Sequence, residues 1–190
     1  MQPLSLYDRA NLFHTAFPHL APIQCHDGFL SGMWFGGGAR QSSLYGAYHK
    51  NFLDRITSLF PDATKVVHLF CGSMPAGNYI RVGIDKTGNW KPDIEGDAEQ
   101  LASFLPIKPD LIYADPPYSE EDSEHYGVSL VNRQRVIKEC STVLQRGGFL
   151  CWLDQALPTF SNEEIRLVGL IGYIRSTSNR FRVVSIFRKP

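Results

Sequence analysis

Four short apolar runs follow one another along the second two-thirds of the chain, and each ends in turn-forming or polar residues. They cover residues 66–70, 80–84, 111–114 and 149–153. Apolar runs of this length without helical spacing are typical of strands that are buried on both faces of a sheet. The pattern therefore predicts four central strands.

Two longer segments space their apolar residues as amphipathic helices do. The first covers residues 44–60 and ends before Pro61, and the second covers residues 128–144 and ends before Arg146-Gly147-Gly148. The second helix would join the third and fourth strands. A strand–helix–strand unit of this kind predicts parallel strands and a right-handed crossover.

The two ends of the chain depart from this pattern. Residues 1–65 precede the first strand and are predicted to be an N-terminal extension of a core at residues 66–190, in one compact domain. Residues 31–38 (SGMWFGGG) favour a bent backbone against a flat surface over a regular helix. Residues 166–174 and 181–187 predict a terminal antiparallel hairpin. The predicted fold class is therefore α/β, with a mostly parallel sheet.

The composition is that of an ordinary globular protein, with 43% hydrophobic and 20% charged residues among 190. No apolar run approaches the ~20 residues that span a bilayer, and the chain does not open with the pattern of a signal peptide. A cytoplasmic location without membrane association is therefore expected. The four cysteines (Cys25, Cys71, Cys140 and Cys151) lack a CxxC spacing, which predicts reduced thiols rather than a zinc site or a disulfide framework.

Charge is balanced overall and uneven along the chain. Lys plus Arg and Asp plus Glu both total 19, so the net charge gives no support for nonspecific phosphate binding. After Glu164, however, the chain carries basic residues and no acidic ones, which predicts that a polyanion would approach from the C-terminal side. These basic residues are Arg166, Arg175, Arg180, Arg182, Arg188 and Lys189.

The strongest chemical signal is the sequence DLIYADPPY, in which an apolar strand ends in Asp115, Pro116, Pro117 and Tyr118. Ligands of open α/β sheets bind outside the carboxyl ends of the strands, where this tetrapeptide falls. A conjugated amine is a poor nucleophile because its lone pair is delocalised. The Asp115 carboxylate and a carbonyl of the rigid Pro-Pro turn can accept its two N–H bonds and expose the lone pair, while Tyr118 stacks on the ring. A rigid turn without a function is the alternative interpretation of this tetrapeptide.

Two other turns follow predicted strands in the same way, and a third lies before the strand that leads to Asp115. Residues 68–73 (HLFCGS) place a glycine where backbone N–H groups can approach a ligand. Asp85 ends the next strand with a carboxylate, a common device for binding ribose hydroxyls. Gly96-Asp97-Ala98 adds a second acidic turn before the strand that leads to Asp115.

In this order of motifs, residues 65–188 resemble the class I S-adenosylmethionine (SAM)-dependent methyltransferases, and among them the amino-methyltransferases with a (D/N/S)PP(Y/F) motif. The resemblance implies a Rossmann-like fold, SAM as cofactor, and Asp115, Pro116, Pro117 and Tyr118 around the target amine. It also implies a set of cofactor contacts: Phe70, Cys71 and Gly72 along the methionine part, with Ser73 in the same turn, Asp85 at the ribose, Asp97 and Ala98 at the adenine, and Tyr45 and Tyr48 in an upstream segment (SLYGAY).

The chain departs from this family at the first crossover. Members usually carry a second glycine two positions after Gly72, where this chain has Met74 followed by Pro75. Only residues 71–79 separate the first two strands, whereas a complete crossover with its helix needs at least ~10–12 residues. We therefore expect the first helix to be reduced to a loop.

The predicted function is methyl transfer from SAM to an exocyclic amine of a nucleic-acid base, with adenine N6 in DNA favoured and cytosine N4 next. A guanine amine of ribosomal RNA and a glutamine amide of a protein are the alternative acceptors, and a SAM-binding or interaction protein without catalysis is the alternative of another class. Neither interval around the motifs holds a target-recognition domain, so specificity would come from residues 1–65, from loops or from a partner subunit. No metal is expected: a solvated loop is the preferred interpretation of the acidic cluster Glu120, Glu121, Asp122, Glu124 and His125, and Cys71 is interpreted as a small apolar residue rather than a nucleophile.

Overall fold

The computed structural model describes residues 3–36, 51–84, 86, 91–125, 127–175 and 181–190. Within these ranges nine strands form one mixed sheet with the spatial order β1-β2-β8-β9-β7-β6-β3-β4-β5. In chain order the strands are β1 (Gln24–His26), β2 (Phe29–Gly36), β3 (Val66–Leu69), β4 (Ile80–Gly83), β5 (Ile94–Glu95), β6 (Leu111–Ala114), β7 (Phe149–Asp154), β8 (Arg166–Arg175) and β9 (Phe181–Arg188).

The described part of the chain contains five α-helices. They are α1 (Leu6–Ala16), α2 (Phe52–Ser58), α3 (Leu101–Phe104), α4 (Glu120–His125) and α5 (Arg133–Val143), and a 3-10 turn (Ala98–Gln100) precedes α3. Of these helices, α1, α2, α3 and α5 pack against the sheet. Side chains of α1 and α2 share one hydrophobic core with β2, β6, β7, β8 and β9. Side chains of α3 and α5 share the other core with β3, β4, β6 and β7. The first 65 residues thus supply two strands and part of a core to the same sheet.

The order of the central strands creates a switch point between β3 and β6. The chain moves outward from β3 to β4 and β5 on one side, and then returns to form β6 and β7 on the other, with all neighbouring pairs parallel. In such sheets ligands bind in the crevice at the carboxyl ends of the two strands that flank the switch point. Leu69 pairs with Ala114, so the residues that follow them leave the sheet side by side.

The remaining strands extend the sheet beyond β7. Strand β9 is antiparallel to both β7 and β8, and β2 is parallel to β8. Because Asp154 at the end of β7 pairs with Val183, the beginning of β9 lies at the same edge as the end of β6. Residues 176–180, between β8 and β9, lie outside the described residues.

The four central strands predicted from apolar runs are confirmed as β3, β4, β6 and β7, each within one residue at its ends. The sheet is of the predicted mixed α/β type. Between β3 and β4 the structure describes every residue from 70 to 79, and none of them is helical. The helix predicted at residues 44–60 is observed as α2 after Asn51, which has a φ of 66°, and residues 44–50 lie outside the described residues.

Two predictions of local structure are wrong: the start of the second helix and the bent backbone within residues 31–38. The helix predicted from residue 128 begins only at Arg133, because the Asn132 side chain caps its first turn by accepting a hydrogen bond from the Arg135 N–H at 3.1 Å. Residues 31–36 form part of the regular strand β2 instead of a bent segment. The glycines there serve close packing, since a Cβ at Gly32 would lie 2.5 Å from the Ile23 side chain.

Two further findings concern the described residues as a set. None of their helices has both the length and the apolarity that a membrane span requires. The four cysteines are free thiols, and Cys71, Cys140 and Cys151 among them are buried.

Candidate functional site

The predicted site residues follow the carboxyl ends of four neighbouring strands. In spatial order, Asp97 and Ala98 follow β5, Phe70 and Cys71 follow β3, and Asp115 follows β6, while β4 ends at Gly83, two residues before the predicted Asp85. Neighbouring strands lie about 4.8 Å apart, so these positions form one row along the edge of the sheet. The structure therefore brings the described candidates together at the switch point, and their roles as ligands stay predictions.

Asp115 begins the loop that leaves β6. The residue as a whole is partly exposed, and the Tyr118 hydroxyl donates a hydrogen bond to Oδ1 of its carboxylate. Pro116 and Pro117 between them are buried, which fixes the backbone of the turn. Oδ2 is the second acceptor atom of this carboxylate, and it has the chemistry needed to accept an N–H bond.

The electrostatic environment of Asp115 disfavours its ionised form. Burial raises the pKa of Asp115 to about 6, and the nearby carboxylates of Asp154 and Asp122 add to this effect. The positive charge of Arg182 and the hydrogen bond from Tyr118 oppose it. At pH 7 most molecules still carry an ionised Asp115, which is the form that accepts hydrogen bonds only.

We expect Asp115→Asn to raise the free energy of unfolding near pH 7 by about 1–3 kcal/mol, because a shift of one pKa unit corresponds to about 1.4 kcal/mol. The carboxyl titrates near 3.8 in the unfolded chain and near 6 in the fold, so wild-type stability falls as pH rises through this window. The gain should therefore be small near pH 4 and complete above about pH 7. Urea unfolding of both proteins at several pH values measures it, with exposed Glu121→Gln as control. A gain that does not change with pH contradicts the assigned cause.

The turn after β3 contains two residues with a left-handed backbone. Phe70 and Gly72 have φ angles of 58° and 46°, and the left-handed region is rare for a large side chain such as Phe70. A Cβ added at Gly72 would meet no atom within 4 Å, so open space lies beside this backbone. Cys71 is buried, and its N–H donates to the Val82 carbonyl at 3.2 Å. Ser73 follows, half-buried.

The loop between β3 and β4 is held by Arg81 of β4. Its guanidinium donates to the Met74 carbonyl at 2.9 Å and forms a two-pronged ion pair with Asp93, with distances of 3.1 and 2.8 Å. Tyr79 adds a hydrogen bond from its hydroxyl to the Pro75 carbonyl at 2.7 Å. These contacts order residues 71–79 without a helix.

The acidic turn after β5 is ordered by its own side chain. The Asp97 carboxylate is exposed and accepts a hydrogen bond from the Glu99 N–H at 2.9 Å, while Ala98 is buried. Gly96 donates its N–H to the Gly83 carbonyl at 3.1 Å, which ties this turn to the end of β4. The predicted cofactor residues Asp85, Tyr45 and Tyr48 lie outside the described residues.

His68 of β3 and the acidic cluster at residues 120–125 do not belong to a metal site in the described part of the chain. His68 is buried beside the rings of Tyr79 and Tyr113, with centroid distances of 4.5 and 4.7 Å, and burial lowers its pKa to about 3. The acidic cluster is not a loop, because residues 120–125 form α4 with Asp122 buried. Among the described residues no group of His, Cys, Asp and Glu side chains is arranged to hold a metal ion.

Sequence reasoning missed three residues at this edge of the sheet. Asp154 at the end of β7 is fully buried and pairs with Arg133, the first residue of α5. Arg182 lies with its guanidinium carbon 4.4 Å from the centre of the Tyr118 ring, so a planar acceptor that stacked on that face would displace it. A signal for Asp154 was present: it ends an apolar run, as Asp115 does.

The basic residues after Glu164 whose side chains the structure describes do not form one surface. Arg166 and Arg188 pair at the end of the β8–β9 ladder that is remote from Asp115, and Lys189 follows Arg188 there. Arg182 lies at the Asp115 edge, six residues or about 20 Å along β9 from Arg188. Among the basic residues whose side chains the structure describes after Glu164, Arg182 is thus the one beside the site.

No protein-family model matches the chain, and no curated protein matches its sequence. Among solved structures, TrmN from Thermus thermophilus is similar over 67% of this chain and 44% of its own, with 16% identity and a TM-score of 0.48. The N-methyltransferase NodS from Bradyrhizobium japonicum WM9, in complex with S-adenosyl-l-homocysteine, is similar over 67% of this chain and 79% of its own, with 12% identity and a TM-score of 0.42. The chain spans less than half the length of TrmN, and what each of these proteins binds or modifies is a property of that protein.

Proposed function

We propose that this protein is a SAM-dependent N-methyltransferase that acts on an exocyclic amine of a nucleic-acid base, with adenine N6 in DNA as the first acceptor. One observation carries the proposal. Asp115, a partly exposed residue, follows β6 beside the open turn at Gly72 that follows β3, at the switch point of the sheet. An acceptor amine and a methyl donor need this adjacency, because methyl transfer occurs between two groups held in line and in contact.

The turn after β3 fits SAM by its space and its backbone. The room beside Gly72 would admit the methionine part along residues 70–73, and the turn at Asp97 and Ala98 would take the adenine. Asp85 stays the proposed ribose ligand. When bound, SAM supplies an electrophilic methyl group on a sulfonium sulfur.

The residues of this chain would orient and activate the amine. Oδ2 of Asp115 accepts one N–H bond, and a backbone carbonyl of the same loop accepts the other, which turns the nitrogen lone pair out of the ring plane. The Tyr118 carbonyl already accepts a hydrogen bond from Arg133 at 3.0 Å. We propose that the second acceptor is a carbonyl earlier in the loop, at Asp115, Pro116 or Pro117. Because the Asp115 carboxyl titrates near pH 6, it can also receive the proton that the methylated amine releases.

The acceptor class is supported by Tyr118 and Arg182. A planar base offers an aromatic face to Tyr118, and its phosphate offers a partner for a displaced Arg182 guanidinium, whose Nε has no hydrogen-bond partner in the described part of the chain. The basic residues remote from Asp115 give little support to a long phosphate track beside the site. We therefore propose that a partner subunit or residues 1–65 supply sequence specificity.

Transfer of a labelled methyl group from SAM tests the proposed function. Single- and double-stranded DNA, ribosomal RNA and glutamine-containing protein serve as separate acceptors, and hydrolysis of labelled DNA followed by chromatography identifies the base. We expect label in N6-methyladenine. Label in a guanine of RNA or in a glutamine would move the proposal to that acceptor, and SAM binding with no labelled acceptor would favour a binding protein without catalysis.

Gly72→Ala is expected to raise the Kd for S-adenosylhomocysteine at least about tenfold, because its Cβ enters the space assigned to the cofactor and its φ of 46° strains any other residue. Gly28→Ala is the matched control, since Gly28 has a φ of 72° and equal free space in the β1–β2 turn. The free energy of unfolding should fall by a similar amount in both variants, about 1–2 kcal/mol. Calorimetry that finds equal affinity in the two variants removes Gly72 from the cofactor site.

A further inference from the structure

The first turn of α5 contacts the loop that carries Asp115. Arg133 donates a hydrogen bond from its Nη2 to the Tyr118 carbonyl oxygen at 3.0 Å. The two residues are fifteen positions apart in the chain, and Tyr118 is the last residue of the tetrapeptide. The contact therefore fixes the end of the loop whose other end is anchored in β6.

Asp154 sets the direction of the Arg133 side chain. Its Oδ2 accepts from Arg133 Nε at 2.6 Å and from Trp152 Nε1 at 3.1 Å, and its Oδ1 accepts from the Gln155 N–H at 2.6 Å. Asp154 is fully buried, whereas 23% of the Arg133 side chain is exposed. A carboxylate held by these donors on a central strand leaves the guanidinium little freedom, so the Tyr118 carbonyl is held in turn.

The same helical turn contacts the predicted adenine side of the site. Glu99, in the turn after Asp97, accepts a hydrogen bond from the Asn132 N–H to its Oε1 at 2.8 Å. The Arg135 side chain donates to the Glu99 carbonyl at 3.0 Å. Residues 132–135 thus bind the acceptor loop on one side and the turn after β5 on the other.

We propose that the first turn of α5 is a positioning element that holds the acceptor loop and the cofactor-side turn in fixed relation, with Arg133 as the positioning residue for Tyr118. The proposal rests on the proposed function for what the two sides bind. Arg133 does not touch the substrate in this scheme. It acts through the backbone of residues 115–118, and so sets where the Asp115 carboxylate points.

Arg133→Lys separates this role from a merely structural one. A lysine ammonium keeps an ion pair with Asp154, but as a single point charge on a flexible stem it does not hold Asp154 and the Tyr118 carbonyl together as the guanidinium fork does. We expect the variant to keep a melting temperature near that of the wild type and an S-adenosylhomocysteine Kd within about threefold. Backbone amide exchange in residues 118–123 should quicken, and kcat should fall on the order of 10–100-fold with little change in KM for the acceptor.

A second pair of variants tests the cofactor side. Glu99→Ala removes the acceptor of the Asn132 N–H, and its Kd for S-adenosylhomocysteine should rise about three- to tenfold. Glu99→Gln retains a side-chain oxygen and should restore the wild-type Kd. For Arg133→Lys the control is Arg146→Lys, which replaces an exposed arginine after the end of α5 by lysine.

The Arg133 and Glu99 experiments can fail independently of the methyl-transfer assay that tests the proposed function. Arg133→Lys with wild-type exchange in residues 118–123 overturns the positioning role of Arg133, even if the wild-type protein methylates DNA. Equal Kd values for Glu99→Ala and the wild type overturn the link to the cofactor side. If the wild type methylates no acceptor but both exchange and Kd change as described, the positioning element stands and the proposed reaction fails.

Discussion

Asp115→Ala should lower the rate of methyl transfer on the order of 10²–10³-fold, the effect typical of removing one preorganised hydrogen-bonding group from an active site. In the proposed function the Asp115 carboxylate accepts one hydrogen bond from the amine. Alanine removes that carboxylate, so only a backbone carbonyl is left to accept a hydrogen bond from the amine. The KM for SAM should change little, because the proposed function assigns Asp115 to the amine and not to the cofactor. Labelled methyl transfer under single-turnover conditions measures the chemical step.

The control for this variant is Glu121→Ala, which removes an exposed carboxylate from the neighbouring helix α4. It should transfer methyl groups at the wild-type rate. An Asp115→Ala protein that is folded, binds S-adenosylhomocysteine and retains more than about a tenth of the wild-type rate would show that Asp115 does not hold the amine.

Arg133→Met should destabilise the protein by about 3 kcal/mol or more, because it leaves the fully buried Asp154 carboxylate without its counter-charge. The remaining donors, from Trp152 and Gln155, satisfy hydrogen bonds and do not neutralise the charge. Urea unfolding near pH 7 gives the difference in unfolding free energy.

The double variant Arg133→Met, Asp154→Leu distinguishes a lost charge pair from lost packing. An apolar pair of similar volume often replaces a buried ion pair at little cost, so most of the stability should return. A double variant no more stable than Arg133→Met would assign the loss to packing around α5.

The sequence predicts Cys71 and Asp115 at one edge of the sheet because each follows an apolar run, whereas β5, which precedes Asp97, was not among the predicted strands. Cys71 and Asp115 follow β3 and β6, and the carboxyl ends of parallel strands meet at one edge. No contact between distant residues had to be known to place them there. The same rule, applied to residues 149–153, would have placed Asp154 in the row.

The positions of Arg133 and Arg182 beside the site depend on contacts between distant residues, which the apolar pattern along the chain does not encode. Arg133 was hidden inside a helix predicted from residue 128, since Leu130 and Val131 fit the apolar spacing, yet Leu130 is 42% exposed and the helix begins after Asn132. Arg182 reaches Tyr118 only because β9 lies between β7 and β8 and runs antiparallel to them. The strand order decides this, and local propensity does not specify it.

The basic C-terminal segment shows the same limit of sequence reasoning. Its residues are close in the chain, and their common charge predicted one approach side for a polyanion. A hairpin places Arg166 and Arg188 at one end of its ladder and Arg182 near the other. Charges that are neighbours in sequence therefore reach opposite edges of the sheet.

A crystal structure of the protein with S-adenosylhomocysteine would test most directly whether the methyl donor binds between Gly72 and Asp115. We expect the homocysteine part beside Gly72 and the adenine toward Ala98, with the sulfur facing the Asp115 carboxylate across a space that admits a planar amine. Binding at another place, or a sulfur that faces away from Asp115, would contradict this expectation.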